Sequence, residues 1–255
     1  DLHSFPTRRS SDLLYKYINV NCINNLSSYK IMSDILPKSK LRLLEFNNNY
    51  LIKYSHKNKI IKNKIIFSTF GGLNSFTRKN LDKTYKVFKK IEEMFGYNFE
   101  LNIHIQSNID NNKLSNFNTN KIKFIFHNSS YKDIIDNIKA SDIVIHLGDH
   151  EGLGLGFFEA LNNNIPIITL DTYPNIEYIN HEENGFLIKC DFEDLKDNNF
   201  GITKRAVLDI NDYYNLISNI LNPYYMSTLE KVINNKKHII NNYQQNFINI
   251  LNEFL

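Results

Sequence analysis

Cysteine is scarce: only Cys22 and Cys190 occur in 255 residues, far apart and with no Cys-x-x-Cys pair, which argues against a disulfide framework and a thiolate zinc site. A reducing compartment fits this usage, and a cytoplasmic location is the expectation. An excess of one charge is also lacking. The 30 basic and 27 acidic side chains leave a formal net charge of +3, without the clustering that tracks a nucleic-acid backbone, so nucleic acid is not the expected partner. No apolar run approaches the roughly 18 residues that a membrane-spanning helix needs, so no transmembrane segment is expected; peripheral contact with a membrane stays open. Glycine numbers only nine, yet Gly152, Gly154 and Gly156 all fall within "HEGLGLGFFEAL" (150–161). Glycine suits backbone that turns sharply or that something approaches closely, so this concentration marks a candidate site.

What is present supports a folded chain with a real core. Apolar residues make up 42% and aromatics 13%, enough for one large α/β domain or one and a half smaller ones. Asparagine makes up about one residue in six, which with the abundant Lys and Ile reads as a coding bias and carries no functional weight. The opening "DLHSFPTRRSSDL" departs from everything after it, with no Asn, Ile or Lys and two adjacent arginines. It resembles the translation of a sequencing-adapter oligonucleotide, so residues 1–13 are expected to be an artefact rather than a natural basic arm, and the natural chain is expected to begin further upstream.

From 14 to about 63 the pattern is mixed and without a clear period. From Lys64 onward, apolar runs of strand length alternate with helix-length amphipathic stretches. The runs "KIIFSTF" (64–70), "FELNIHIQ" (99–106), "KIKFIFH" (121–127), "DIVIHLG" (142–148), "IPIITLD" (165–171) and "GFLIKC" (185–190) predict strands. Helices are predicted near 78–95, 130–140, 155–163 and 174–182, with two or three more after about 211. This alternation predicts βαβ units around a doubly wound parallel sheet, and several runs are apolar on both faces, as a sheet covered on each side requires.

In such a sheet, ligands bind beyond the carboxyl ends of the strands. Two loops there carry unusual residues. In "FGGLNSFTRKN" (70–80), Gly71 and Gly72 leave a strand and Arg78 and Lys79 stand at the start of the next helix, a combination suited to phosphate. The plainer alternative is a tight turn followed by solvated basic residues. In the second loop, the glycines precede a helix from about 154, and the free amides of Gly154 and Leu155 are placed to meet an anion. Glu151 and Glu159, eight positions apart, can border one pocket, and a carboxylate accepts hydrogen bonds from two neighbouring hydroxyls of a ribose or sugar. Alone, Glu159 would be an ordinary helix-face residue.

A dinucleotide-binding reading would use Asp171, roughly 20 residues after the glycines, as the ribose-binding acid. Against it stand the G-x-G-x-G spacing, the intervening "DHE", and the position of the motif on the fourth strand rather than the first. His146 and His150 are four apart but divided between a strand and a loop, and His104 and His127 read as strand residues, so no metal site is expected.

The run E-G-x-G-x-x-x-x-E-A (Glu151 to Ala160), then "NNIPIIT" and "NIEYINHEENGFLI" (175–188), resembles the donor-binding half of retaining GT-B glycosyltransferases, particularly glycosyltransferase family 4. The likeness runs from about 64 to 190. It implies a nucleotide-sugar site on a Rossmann-like domain, in which Glu159 holds the ribose hydroxyls and Glu151, the expected catalytic residue, contacts the donor sugar. Gly154 and Leu155 match positions whose amides meet the diphosphate, and Lys79 matches a phosphate-binding Lys. Gly72 stands where that family has an Arg, so Arg78 is expected to supply the charge from a shifted position; the base would sit near Asn128 to Tyr131. The resemblance further implies chemistry without a metal ion or other cofactor, with a nucleotide sugar as substrate and a glycan, lipid or protein acceptor. The implied layout is a remnant of the N-terminal acceptor domain and linker at 14–63, the nucleotide-sugar-binding domain at 64–200 and C-terminal helices at 201–255. The expected function is therefore that of a truncated hexosyltransferase acting with retention, weakly active or inactive by itself. The alternative is a non-catalytic nucleotide- or dinucleotide-binding Rossmann module.

Overall fold

The computed structural model describes residues 21–23, 26–34, 37–43, 64–72, 77–105, 116–126, 130–149, 155–194, 204–235 and 252. These fall into two compact units, one comprising 21–43, 192–194, 204–205 and 252, the other 64–191 and 206–235. In the first unit, strands β1 (Asn21–Ile23) and β2 (Leu41–Leu43) pair in parallel, with helix α1 (Leu26–Ser33) between them in the chain.

The second unit is built on a six-stranded sheet. Its strands are β3 (Ile65–Gly71), β4 (Phe99–Ile105), β5 (Ile122–Phe126), β6 (Ile143–His146), β7 (Ile167–Leu170) and β8 (Gly185–Ile188). The spatial order is β5-β4-β3-β6-β7-β8, every neighbouring pair parallel. This is the doubly wound Rossmann-type order, in which the chain winds outward from the middle in one direction and then in the other. β6 and β7 are buried at every position, as strands covered on both faces must be. β9 (Cys190–Asp194) and β10 (Lys204–Leu208) pair with each other outside this sheet.

Helices follow the strands and bury the faces the pattern predicts. α2 (Leu81–Met94) buries Leu81, Thr84, Val87, Phe88 and Ile91, the three- and four-residue spacing of one helical face. Phe88 meets Phe67 of the central strand edge-on at 5.0 Å and Phe99 at 5.4 Å, so one aromatic ring joins α2 to β3 and β4. α3 (Tyr131–Ala140) begins at a capping box between Ser130 and Asp133. α4 (Leu155–Asn162) follows β6. α5 (Ile210–Leu221) starts at Asp209, which accepts from two backbone N–H groups, and buries Tyr213, Ile217, Ile220 and Leu221. α5 packs on α2, and α6 (Met226–Asn234) buries Leu229, Val232 and Ile233.

Two expectations need correction. The helix expected at 174–182 is a single 3-10 turn, Asn175–Glu177. Asparagine side chains divert the backbone there: Asn175 Nδ2 donates to the Leu170 carbonyl at 3.2 Å, Asn184 Oδ1 accepts from the Asn180 N–H at 2.8 Å, and Asn184 Nδ2 donates to the Tyr178 carbonyl at 2.8 Å. Such local bonds compete with helical ones. The run expected as one strand over 185–190 ends at Ile188, and Cys190 opens β9, which pairs elsewhere.

Candidate functional site

β3 and β6 lie side by side at the point where the strand order reverses, the place where doubly wound sheets bind ligands. The loops that leave them are the two singled out by their residue content. Gly72 leaves β3 exposed, with open space where a Cβ would stand. Residues 77–80 form a turn closed by the Asn80 N–H donating to the Thr77 carbonyl at 2.9 Å, and Arg78 and Lys79 sit half-buried within it.

Asn80 joins the two loops. It adopts the left-handed conformation (φ 51°, ψ 34°) that Asn tolerates better than most residues, and it is buried. Its Nδ2 donates to the Leu147 carbonyl at 2.7 Å, just beyond β6. The Asp149 N–H in turn donates to the Arg78 carbonyl at 3.0 Å. These two bonds fix the turn carrying Arg78 and Lys79 against the chain leaving β6. Sequence reasoning passed over Asn80; the one available signal was an Asn immediately before a helix, which normally reads as a cap.

Glu159 is 8% exposed on α4, an unusual place for a carboxylate. Burial pushes its pKa up, while a hydrogen bond from the Tyr131 hydroxyl and the nearby positive charge of Lys79 pull the other way. The structure thus brings Lys79, from the loop after β3, into electrostatic reach of Glu159, from the helix after β6. The bare backbone of Gly156 lies beside the carboxylate, since a Cβ added there would stand 3.9 Å from Oε2. Leu155 is the first residue of α4, where backbone N–H groups lack helical partners. Glu151, Gly154, Asn128, His127 and His150 lie outside the described residues.

Other sequence candidates fall elsewhere. His104 is buried in β4, stacked on Phe70 at 4.5 Å, and His146 meets Phe157 edge-on at 5.8 Å. Asp171, just past β7, lines a separate polar pocket with Lys189, Cys190, Asp191, Asp209 and Asp212. There, burial together with Asp171 and Asp191 pushes the Cys190 thiol up to about 11, so it stays protonated and unreactive at neutral pH. Among the described residues, no group of three or more His, Cys, Asp or Glu side chains could hold a metal ion, and no helix is long and apolar enough to cross a membrane.

A parallel sheet of this order with flanking helices defines a Rossmann-like α/β domain. Residues 52–198 match the family "Glycosyl transferases group 1", and the chain belongs to that family. No curated protein matches the sequence. Among solved structures, the C-terminal domain of a glycosyl transferase group 1 family protein, LpcC of Francisella tularensis, is 16% identical with a TM-score of 0.50, over 68% of this chain and 82% of that one. HepE of Anabaena, solved in complex with UDP-glucose, is 13% identical with a TM-score of 0.66, over 96% of this chain and 67% of HepE. A TarM variant of S. aureus, solved with fondaparinux, alpha-GlcNAc-glycerol and UDP, is 14% identical with a TM-score of 0.67, over 99% of this chain and 48% of TarM. At these identities the likeness shows the fold, and the chain spans about half the length of TarM and two thirds of HepE.

Proposed function

We propose that this chain carries the nucleotide-sugar donor site of a retaining glycosyltransferase of the family 4 type. The observation that carries the reading is the buried carboxylate of Glu159 on the helix after β6, within electrostatic range of Lys79 from the loop after β3, at the sheet's reversal point. In this reading the ionised Glu159 accepts hydrogen bonds from both ribose hydroxyls. Lys79, Arg78, and the backbone N–H groups of Gly154 and Leu155 at the start of α4 face the diphosphate, and Gly72 lets it approach the backbone. The donor's bond from the anomeric carbon to phosphate oxygen breaks and its electron pair stays on the diphosphate, where these cations and amides stabilise the developing charge without a metal ion. An acceptor hydroxyl bonds to the anomeric carbon on the face the leaving group occupied and passes its proton to the departing diphosphate oxygen. Glu151 is assigned to the donor sugar and Asn128 to the base.

The hexosyl group, the glycan, lipid or protein acceptor, a cytoplasmic location and low activity of this chain by itself all belong to the proposal. UDP is the first nucleotide to try, because HepE and TarM were solved with UDP or its glucose conjugate. The test is calorimetric titration of the full chain with UDP, GDP, ADP, their hexose conjugates and NAD, beside a Glu159→Ala variant. One nucleoside diphosphate should bind, and the variant should bind it about 10- to 100-fold more weakly, the loss expected for one or two hydrogen bonds to a charged acceptor. Binding of NAD alone, or binding indifferent to Glu159→Ala, would refute the reading.

A further inference from the structure

Tyr173 stands in the loop that leaves β7, and its side chain is 60% exposed. The loop beneath it is held fast. Thr172 turns the chain just past the strand, its N–H donating to the Leu170 carbonyl at 2.8 Å, and the buried Asn175 donates from Nδ2 to the same carbonyl at 3.2 Å. The Ile176 N–H closes the turn by donating to the Thr172 carbonyl at 3.1 Å. Directly after it, Tyr178 meets Phe158 of α4 edge-on at 4.9 Å and Phe157 at 6.0 Å, so the loop is braced against the helix that carries Glu159. A large aromatic ring displayed at the carboxyl end of the sheet, by a loop tied down on both sides, offers an apolar face whose position is set before a ligand arrives.

We propose that Tyr173 is the platform against which the sugar of a nucleotide-sugar donor stacks, and so a residue that sets donor specificity. The inference rests on the donor-site reading above, which lays the nucleotide across successive strand ends. In that reading the base lies at the loop after β5 and the diphosphate between the loops after β3 and β6. The strand order makes β7 the next strand end in the same direction. Paired strands are about 4.8 Å apart, close to the width of one sugar ring, so a group carried just beyond the diphosphate arrives over the end of β7. The chemistry matches. A pyranose ring turns C–H bonds outward on its two faces, and their slight positive charge meets the negative face of an aromatic ring, while the hydroxyls around the rim stay free for polar partners. A bare nucleoside diphosphate ends at the phosphates and leaves Tyr173 untouched.

The test is calorimetric titration of the full chain with UDP, GDP and ADP and with their glucose, galactose and mannose conjugates, beside the variants Tyr173→Ala, Tyr173→Leu and Tyr173→Phe. For the diphosphate that binds, Tyr173→Ala should leave the affinity within about twofold and weaken the hexose conjugate about three- to tenfold, the loss of one stacking contact. Tyr173→Leu keeps bulk without an aromatic face and should behave as the alanine variant. Tyr173→Phe should bind as the parent does, because the ring and not the hydroxyl is used. The side chain is exposed, so all three should melt within about 2 °C of the parent, which separates lost stacking from lost folding. Conjugate affinity indifferent to Tyr173→Ala, or diphosphate and conjugate weakened equally, would overturn the inference, and so would a leucine variant that binds like the parent. A parent chain that binds a diphosphate but none of its conjugates overturns the inference and leaves the nucleotide site standing. If it binds none of the three diphosphates, the donor-site reading itself fails and this inference with it, a result visible before any variant is made.

Discussion

Gly185→Ala tests whether the edge of the sheet is packed as tightly as the structure requires. Gly185 opens β8 opposite Ile167 of β7. A Cβ built there would lie 2.4 Å from the Ile167 carbonyl oxygen, 3.2 Å from its nitrogen and 3.1 Å from Ile179 Cγ2. Ordinary contact begins near 3.4 Å, so β8 must retreat by about 1 Å from a partner whose carbonyl cannot rotate away. The cost belongs at the upper end of overpacking penalties, about 3 kcal/mol, because the obstacle is backbone in a hydrogen-bonded ladder. For a domain of this size that corresponds to a fall of about 6–12 °C in Tm. The assay is a thermal melt followed by far-UV circular dichroism, with Gly96→Ala as the control. Gly96 is exposed between α2 and β4, and a Cβ there meets nothing within 4 Å, so that variant should melt within about 2 °C of the parent. If the two alanine variants melt together, β8 does not pair with β7 in this register.

Asn80→Ala should cost about 2–4 kcal/mol, from the lost buried hydrogen bond to the Leu147 carbonyl and from placing alanine in the left-handed region. Asn80→Gly should recover about 1 kcal/mol of that in a denaturant melt, and both variants should bind nucleotide less well because one of the two bonds joining the loops is lost. Glu159→Gln should raise Tm at pH 7 to 8 while weakening nucleotide binding. The fold holds the Glu159 pKa above its ordinary value, so the protonated form is favoured in the folded chain and wild-type stability falls as pH rises through that folded pKa. Glutamine lacks the charge, so the advantage should vanish below about pH 4, where Glu159 is protonated in both folded and unfolded chains. A Tm gap that widens toward acid would contradict the sign of this shift.

Much of the architecture is legible in local pattern. The apolar runs at 64–70, 99–106 and 121–127 are strands within a residue or so at each end, because consecutive apolar residues between polar turns have few other ways to be buried. α2 is equally plain, its buried residues falling at helical spacing. The stretch 174–182 misleads for a local reason as well: its asparagines bond their own neighbours and cut the helix to one turn. The candidate loops were also visible, through clustered glycines and through paired cations at a helix start.

Sequence alone therefore determined which segments form the parallel sheet and which loops hold the unusual residues, since both depend on neighbours within a few positions. The tertiary structure decided that β3 and β6 adjoin at the reversal of strand order, although the chain between them includes two other strands. Strand order follows from how helices cross the sheet, a long-range packing outcome that local periodicity does not encode. The same holds for Glu159. Its spacing from Glu151 is written in the chain, but its burial and the influence of Tyr131 and Lys79 on it come from three separate segments brought together by the fold. A carboxylate's environment is set by what surrounds it in space, and only the assembled sheet puts those groups there.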